Sequence, residues 1–230
     1  MKSFALDGRL LSVAKFVRQG AMFADVGTDH AYLPLALLKD GVIRGAICSD
    51  INRGPLESAV ANARAEGLSE RIKFFLTDGA AALSGEGIED LAIAGMGGEL
   101  IARIIEDAPF LKDENIHLIL QPMSKQAHLR RYLASAGFEI TDEDYSHSQG
   151  KYYVTILARY TGAHREISDV TAEFGEEKFR TGCDECTLGY LNEKKKAFMR
   201  ASDGKARGGE NADYENKIIK YINAFLISEK

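Results

Sequence analysis

The chain has 230 residues, enough for one large domain or for a domain with an appendage. Its 45% hydrophobic and 27% charged residues exclude a disordered chain, and no apolar run approaches the roughly 20 residues of a membrane span. A net charge of −5 excludes a protein that coats nucleic acid by bulk electrostatics. It leaves room for a local basic patch, because phosphates feel only charges within about a Debye length, roughly 8–10 Å.

The N-terminus meets Asp7 and Arg9 early and lacks a signal-peptide pattern. The cysteines are Cys48, Cys183 and Cys186, a small odd number that fits a reducing compartment. A cytoplasmic protein is therefore expected.

Leu6 to Arg18 reads as an amphipathic helix with Leu6, Leu10, Leu11, Val13, Ala14 and Val17 mostly on one face. Asp7 suits its start, and Gly20 ends it. Strand one is Ala21–Val26, followed by a helix from about Tyr32 to Lys39. Strand two is Gly45–Ser49, ending at Asp50. Pro55 sits near the start of the next helix, where its missing N–H costs nothing. That helix runs to about Glu66. Strand three is Ile72–Leu76, and strand four is Leu91–Ala94 with Gly95-Met96-Gly97-Gly98 after it. A helix over Glu99–Glu106 and a fifth strand, His117–Leu120, follow. Ser124 is placed as the cap of the next helix, whose inner face holds Leu129, Tyr132, Leu133 and Ala136.

Alternating strands and helices predict a parallel sheet with helices on both faces, an α/β fold. The pattern changes after Phe138. Phe138–His147 and Tyr152–Tyr160, joined through Ser148-Gln149-Gly150-Lys151, read as a hairpin that gives the sheet an antiparallel edge. From about Gly162 charged residues dominate. Leu188, Leu191, Phe198 and Met199, then Ile218, Ile219, Ile222, Phe225 and Leu226, recur at helical spacing around a loop at Ser202–Ala212. Two domains are expected, 1–161 and a helical hairpin over 162–230.

Four strand ends carry small or acidic residues: Asp25-Val26-Gly27, Ser49-Asp50-Ile51, Thr77-Asp78-Gly79 and Ala94-Gly95-Met96-Gly97. Ligands of open α/β sheets bind at that edge. A glycine turn lets backbone come close, and a helix start offers unpaired N–H groups. Asp50, about twenty residues past the first turn, can accept both ribose hydroxyls. Asp78 fits the adenine amine, with Gly79 leaving room for the ring. A third glycine of the Gly-x-Gly-x-x-Gly pattern is missing, which counts against NAD and leaves S-adenosylmethionine. The plain alternative is that each Asp caps a helix and each Gly makes a turn.

Asp25-Val26-Gly27-Thr28-Asp29-His30-Ala31-Tyr32-Leu33-Pro34, Ile93-Ala94-Gly95-Met96-Gly97-Gly98 and Leu118-Ile119-Leu120-Gln121-Pro122 resemble the TrmK family, bacterial tRNA adenine-22 N1-methyltransferases. The resemblance runs from Leu6 to about Tyr160. It implies a class I, Rossmann-like methyltransferase sheet, with the seventh strand inserted antiparallel between the fifth and sixth. It also implies a C-terminal coiled-coil-like hairpin that helps hold tRNA. The candidate cofactor residues are Asp25, Gly27, Thr28, Asp50, Ile51, Asp78, Gly79, Ala94, Gly95, Met96 and Gly97. The candidate catalytic face is Arg9, Asp29, His30 and Tyr32. The chain departs from the family at Met123, where Asn tends to follow Gln-Pro, and beyond Gly175 it matches only loosely.

Adenine N1 attacks a sulfonium methyl group with its own lone pair, so in-line positioning carries most of the catalysis. Asp29 is the carboxylate that faces the ring as it becomes cationic; its alternative role is to cap the helix near Tyr32. Tyr32 can stack on an extracted base or pack at the helix start. His30 can line the site or bond nearby backbone. Arg9 can meet a tRNA phosphate or be a solvated charge. Lys194-Lys195-Lys196 with Arg200, and Lys205 with Arg207, are either a phosphate-facing patch or a solvated face. Cys183-Asp184-Glu185-Cys186 has no second pair to complete a zinc site, so no metal is expected. Tranfer to another acceptor, or a non-catalytic nucleotide-binding module, are the competing functions. The lack of an Asn-Pro-Pro-Tyr-like motif after strand four disfavours an exocyclic amino methyltransferase. No protein partner is evident.

Overall fold

The structure is a computed structural model that describes residues 6–176 and 184–228. In chain order its main elements are α1 (Gly8–Lys15), β1 (Met22–Val26), α2 (Tyr32–Lys39), β2 (Gly45–Asp50), α3 (Arg53–Ala65), β3 (Ile72–Leu76), β4 (Asp90–Gly97) and α4 (Gly98–Glu106). Then come β5 (His117–Ser124), α5 (Gln126–Ser135), β6 (Phe138–Ser148), β7 (Lys151–Tyr160), α6 (Asp169–Phe174), α7 (Glu185–Arg207) and α8 (Asp213–Ser228). The strands form one sheet in the order β3-β2-β1-β4-β5-β7-β6. β1 to β5 are parallel, and β7 runs antiparallel between β5 and β6. This is the class I methyltransferase arrangement expected from the sequence.

Side chains alternate across the sheet, so each strand feeds two cores. Phe23, Cys48, Ala92 and Ile119 face α1, α2 and α3, where they meet Val13, Leu35 and Ala59. Ala24, Ile47, Ile93 and Leu120 face the other way, toward Ile101 and Ile105 of α4 and Leu129 and Leu133 of α5. That second core continues through Phe174 to Tyr190, Leu191, Ile218 and Ile222 of α7 and α8. Burial of such side chains, worth roughly 1.5–3 kcal/mol each, is what holds the helices to the sheet.

Asp7 starts α1 as anticipated, its carboxylate accepting from Leu10 N–H at 2.9 Å. Ser12 Oγ bonds Thr155 Oγ1 at 2.8 Å and ties α1 to β7. The helix is shorter than expected, and Leu11 is exposed rather than on the packed face. The β6–β7 turn is a two-residue loop with Gln149 and Gly150 both left-handed, the twist that hairpins favour.

Two expectations are corrected, and one element is new. Ser124 does not cap α5: it is the last residue of β5, and the cap position is Lys125, left-handed and without a side-chain cap bond. The loop in the C-terminal hairpin is not Ser202–Ala212, because α7 continues to Arg207. Lys205 paired with Glu215 at 2.9 Å and Ser202 bonded to Asn216 at 2.9 Å hold that last part of α7 against α8. The short helix α6, capped by Ser168, was not anticipated.

Candidate active site

The strand order places β1 beside β4, where connections leave in opposite directions, and ligands of such sheets bind at that switch point. The ends of β1 and β4 there are Asp25-Val26-Gly27 and Ala94-Gly95-Met96-Gly97. Gly27, Gly79 and Gly95 all adopt left-handed φ, near +77°, +70° and +80°. An L side chain is strained in that conformation, which accounts for glycine at these strand ends.

Gly95 is a bulge. Ala94 pairs with Gln121 and Met96 with Pro122, so one residue of β4 has no partner on β5. The Gly95 N–H is instead taken by the Gln121 side chain, Oε1, at 3.0 Å. The same oxygen accepts from Arg9 Nη1 at 3.3 Å, and Gln121 Nε2 donates to Met123 Sδ at 3.5 Å. Gln121 is fully buried. In the sequence Gln121 stands out only as part of the Leu118–Pro122 motif. A polar residue in an apolar strand, at the same edge as the glycine turns, was the available signal.

Two cavities meet at Gly27, Ala94 and Gly95. The smaller, about 340 Å³, is lined by Asp50, Ile51, Asp78, Gly79, Met96 and Ile104 among others. The larger, about 520 Å³, holds Arg9, Asp25, Thr28, Asp29, His30 and Tyr32 on its walls. The eleven candidate cofactor residues are thus divided: Asp25 and Thr28 line the larger space, Gly27, Ala94 and Gly95 the neck, and Asp50, Ile51, Asp78, Gly79 and Met96 the smaller. Gly97 lines neither cavity; a Cβ on it would lie 3.3 Å from Ser124 Oγ, so its place is in the β4–β5 packing.

Asp50 Oδ1 accepts from Asn52 N–H at 2.7 Å, which fixes the carboxylate at the rim of the smaller cavity. Asp78 is exposed beside it, and Ile51 is 61% exposed. Acids that accept from hydroxyls and an amine, with Met96, Leu100 and Ile104 as apolar walls, match the chemistry of an adenosine group. Gly27 and Thr28 N–H both donate to Ser49 O, at 2.8 and 2.9 Å, and Ala31 N–H to Thr28 O at 2.9 Å. These amides of the turn are spent within the protein, contrary to the free N–H groups expected there. Such a turn suits S-adenosylmethionine, which carries no phosphate, better than a dinucleotide.

Asp25 is buried, with Thr28 Oγ1 donating to its Oδ2 at 2.7 Å. Burial pushes its carboxyl up to about 6; the Thr28 hydroxyl and Arg9 oppose this, and Asp50 and Asp29 add to it. Cys48, beside it in the core, has its thiol pushed up by burial and by Asp25, so it is an inert thiol.

Asp29 does not cap α2. The cap position is Ala31, left-handed and without a side-chain bond. Asp29 is itself left-handed (φ 51°), and its carboxylate is 69% exposed at 3.5 Å from His30 Nε2. Two left-handed non-glycine residues one apart, Asp29 and Ala31, cost free energy, and such residues cluster at functional sites. The His30 ring stacks on Tyr32 at 5.2 Å, while its backbone oxygen accepts from Asn62 Nδ2 at 3.0 Å. The His30 ring lines the larger cavity, and no bond from that ring to nearby backbone is present among the described residues. Arg9 is only 24% exposed and is held by Gln121, with Asp7 at 3.9 Å, so it is not a solvated surface charge.

Among the described residues no three His, Cys, Asp or Glu side chains could hold a metal ion. Cys183, half of the Cys-x-x-Cys, lies outside the described residues. Three of the six cations of the proposed basic patch have partners within the protein. Lys194 bonds Gln126 at 2.9 Å, Lys196 pairs with Glu193 at 2.8 Å and Lys205 with Glu215.

The family model for a methyltransferase domain matches residues 6–156. The tRNA (adenine(22)-N(1))-methyltransferase of Bacillus subtilis is 35% identical over 158 residues, 69% of this chain and 66% of that protein. A crystal structure from Streptococcus pneumoniae, described as a candidate tRNA (m1A22) methyltransferase, superposes with a TM-score of 0.83 at 32% identity, over 95% of this chain and 98% of that one. The chain belongs to the TrmK family. A second structure of the pneumococcal protein, in complex with S-adenosyl-L-methionine, has a TM-score of 0.80 at 33% identity, over 93% of this chain and 97% of that one. The two adjoining cavities lie at one edge of the sheet, within the residues that the family model matches, and among the described residues no helix is long and apolar enough to cross a membrane.

Proposed function

We infer that this TrmK-family chain transfers a methyl group from S-adenosylmethionine to N1 of adenine 22 in tRNA, in the cytoplasm. The observation that carries the reading is the pair of cavities joined at Gly27 and Gly95. One has the lining for a nucleoside and the other opens beside a carboxylate and an aromatic ring.

In this reading Asp50 and Asp78 accept hydrogen bonds from ribose and adenine, and Met96 and Ile104 pack on the ring. Bound S-adenosylmethionine supplies an electrophilic methyl group on a sulfonium sulfur. Asp25 and Arg9, of opposite charge on the walls near the neck, suit the ammonium and carboxylate ends of an amino acid. The burial of Arg9 and its bond to Gln121 favour that role over a tRNA phosphate contact. Tyr32, backed by the His30 ring, stacks on the extracted adenine. Asp29 lies at the mouth and stabilises positive charge on the methylated ring; substrate covering the mouth removes water and strengthens that interaction. Residues 162–230 serve as the tRNA-facing appendage.

The test is methyl transfer to an unmodified tRNA transcript and to the same transcript with adenine 22 replaced. Transfer that requires adenine 22 supports the reading. Transfer unchanged by the replacement contradicts the site, and no transfer to either contradicts tRNA as the acceptor.

A further inference from the structure

A third cavity, about 430 Å³, lies between the β6–β7 turn, the end of β5 and α7. It shares Met123, Lys151 and Tyr153 with the larger cavity of the candidate site, so the two adjoin along that wall. Its far wall is α7, from Tyr190 to Arg200.

The groove is held in shape. The Tyr152 ring contacts His147 at 4.6 Å between centroids, and a Cβ on Gly189 of α7 would lie 2.2 Å from Tyr152 Cζ. Glycine is a poor helix former, and here its missing side chain lets the start of β7 seat against α7. Lys194, bonded to Gln126 and 5.6 Å above the Tyr190 ring, closes the junction.

The lining has the chemistry of a single-stranded nucleic-acid track. Tyr153 is a half-buried ring at the boundary between the two cavities, and Lys151, Lys194 and Arg200 outnumber the one acid, Glu193. Among the described residues Lys151 and Arg200 make no ion pair. The hydroxyl of Tyr190, buried at the wall, has no hydrogen-bond partner among the described residues. Any base can stack on an aromatic ring, and cations along the track neutralise phosphates.

We propose that this groove carries the unpaired nucleotides flanking the target adenine, with a base against Tyr153 and backbone phosphates beside Lys151 and Arg200. The inference rests on tRNA being the acceptor, and it makes the β6–β7 turn part of the RNA interface together with α7.

The test uses the full chain with S-adenosylmethionine, a tRNA transcript containing adenine 22, and two substitutions outside the two cavities of the candidate site. Arg200→Glu is expected to raise the Kd for tRNA about tenfold in a mobility-shift titration and to flatten its salt dependence. Each lost phosphate contact lowers the slope of log K against log salt by about 0.7–0.9. Glu193→Gln is expected to tighten tRNA binding severalfold, a change that damage to the fold would not produce. Both should leave the Kd for S-adenosylmethionine unchanged. tRNA affinity within twofold of the parent for both variants overturns the proposal. Both charge effects without methyl transfer to adenine 22 would uphold the groove and contradict the function proposed above.

Discussion

Gln121 and Gly95 are joined by a single 3.0 Å hydrogen bond from the backbone N–H of a bulge to a buried side-chain oxygen. That oxygen also accepts from Arg9, so one amide carries the shape of the neck between two cavities and the placement of the cation beside it. Replacing it by an apolar residue leaves the Gly95 N–H without its partner, at a cost of about 1–3 kcal/mol. Gln121→Leu is expected to lower the thermal midpoint and to weaken S-adenosylmethionine binding tenfold or more, read by calorimetric titration. Unchanged cofactor affinity would remove Gln121 from the site.

Asp29 has an exposed carboxylate and no capping role, so its removal has little structural consequence. Asp29→Ala should lower kcat by about 10²-fold or more, a loss typical of removing an electrostatic stabiliser. Cofactor affinity should stay within a few-fold. Near-normal turnover would take Asp29 out of the mechanism.

Arg9→Ala separates its two roles. Loss of S-adenosylmethionine affinity with tRNA affinity kept is the expected result, measured by two separate binding titrations. The reverse pattern would return Arg9 to the tRNA.

Asp25 makes stability depend on pH in a defined direction. Its carboxyl sits near 6 in the folded chain against 3.8 for the ordinary group. Between those values the native state holds a proton that the unfolded state has lost, so stability falls as pH rises through about 4 to 6 and stays lower above it. The loss is roughly 2–3 kcal/mol for a shift of that size. Asp25→Asn is therefore expected to be more stable than the parent at pH 7.5 in urea unfolding, with the gain vanishing near pH 4. The same variant should bind S-adenosylmethionine more weakly. A gain that does not change with pH would contradict the assignment.

Arg130 and Glu143 form a fully buried ion pair, with Nε to Oε1 at 2.6 Å, and Arg130 Nη1 also donates to the carbonyls of Ala172 and Glu173. This cluster fastens α6 to α5 and β6. Glu143→Ala strands a buried cation and should cost about 3–5 kcal/mol, whereas Arg130→Met with Glu143→Leu should cost much less. A double-mutant cycle by denaturant unfolding reads the difference.

Most of the sheet was legible because apolar runs ending in glycine or acid recur at regular spacing. Ile72–Leu76 and Tyr32–Lys39 have the bounds expected. What was not legible depended on tertiary contacts. Ser124 looks like a cap, but the β4–β5 ladder extends to Gly97 and Ser124 and claims it for the strand. Ser202–Ala212 reads as a loop, yet pairs such as Lys205–Glu215 keep its first turn helical. Arg130 reads as a surface residue until the carboxylate and carbonyls around it are known. In the site, the strand-end acids and glycines could be named in advance. Their division between two cavities could not, because it follows from which face of the sheet each side chain takes and from the bulge at Gly95.

The most direct test of the central claim is transfer of labelled methyl from S-adenosylmethionine to a tRNA transcript, with the modified nucleoside and its position identified by mass spectrometry. The account predicts N1-methyladenosine at position 22 and no transfer when that adenine is replaced by guanine. Methylation at another position or atom, or transfer that ignores the replacement, would contradict it.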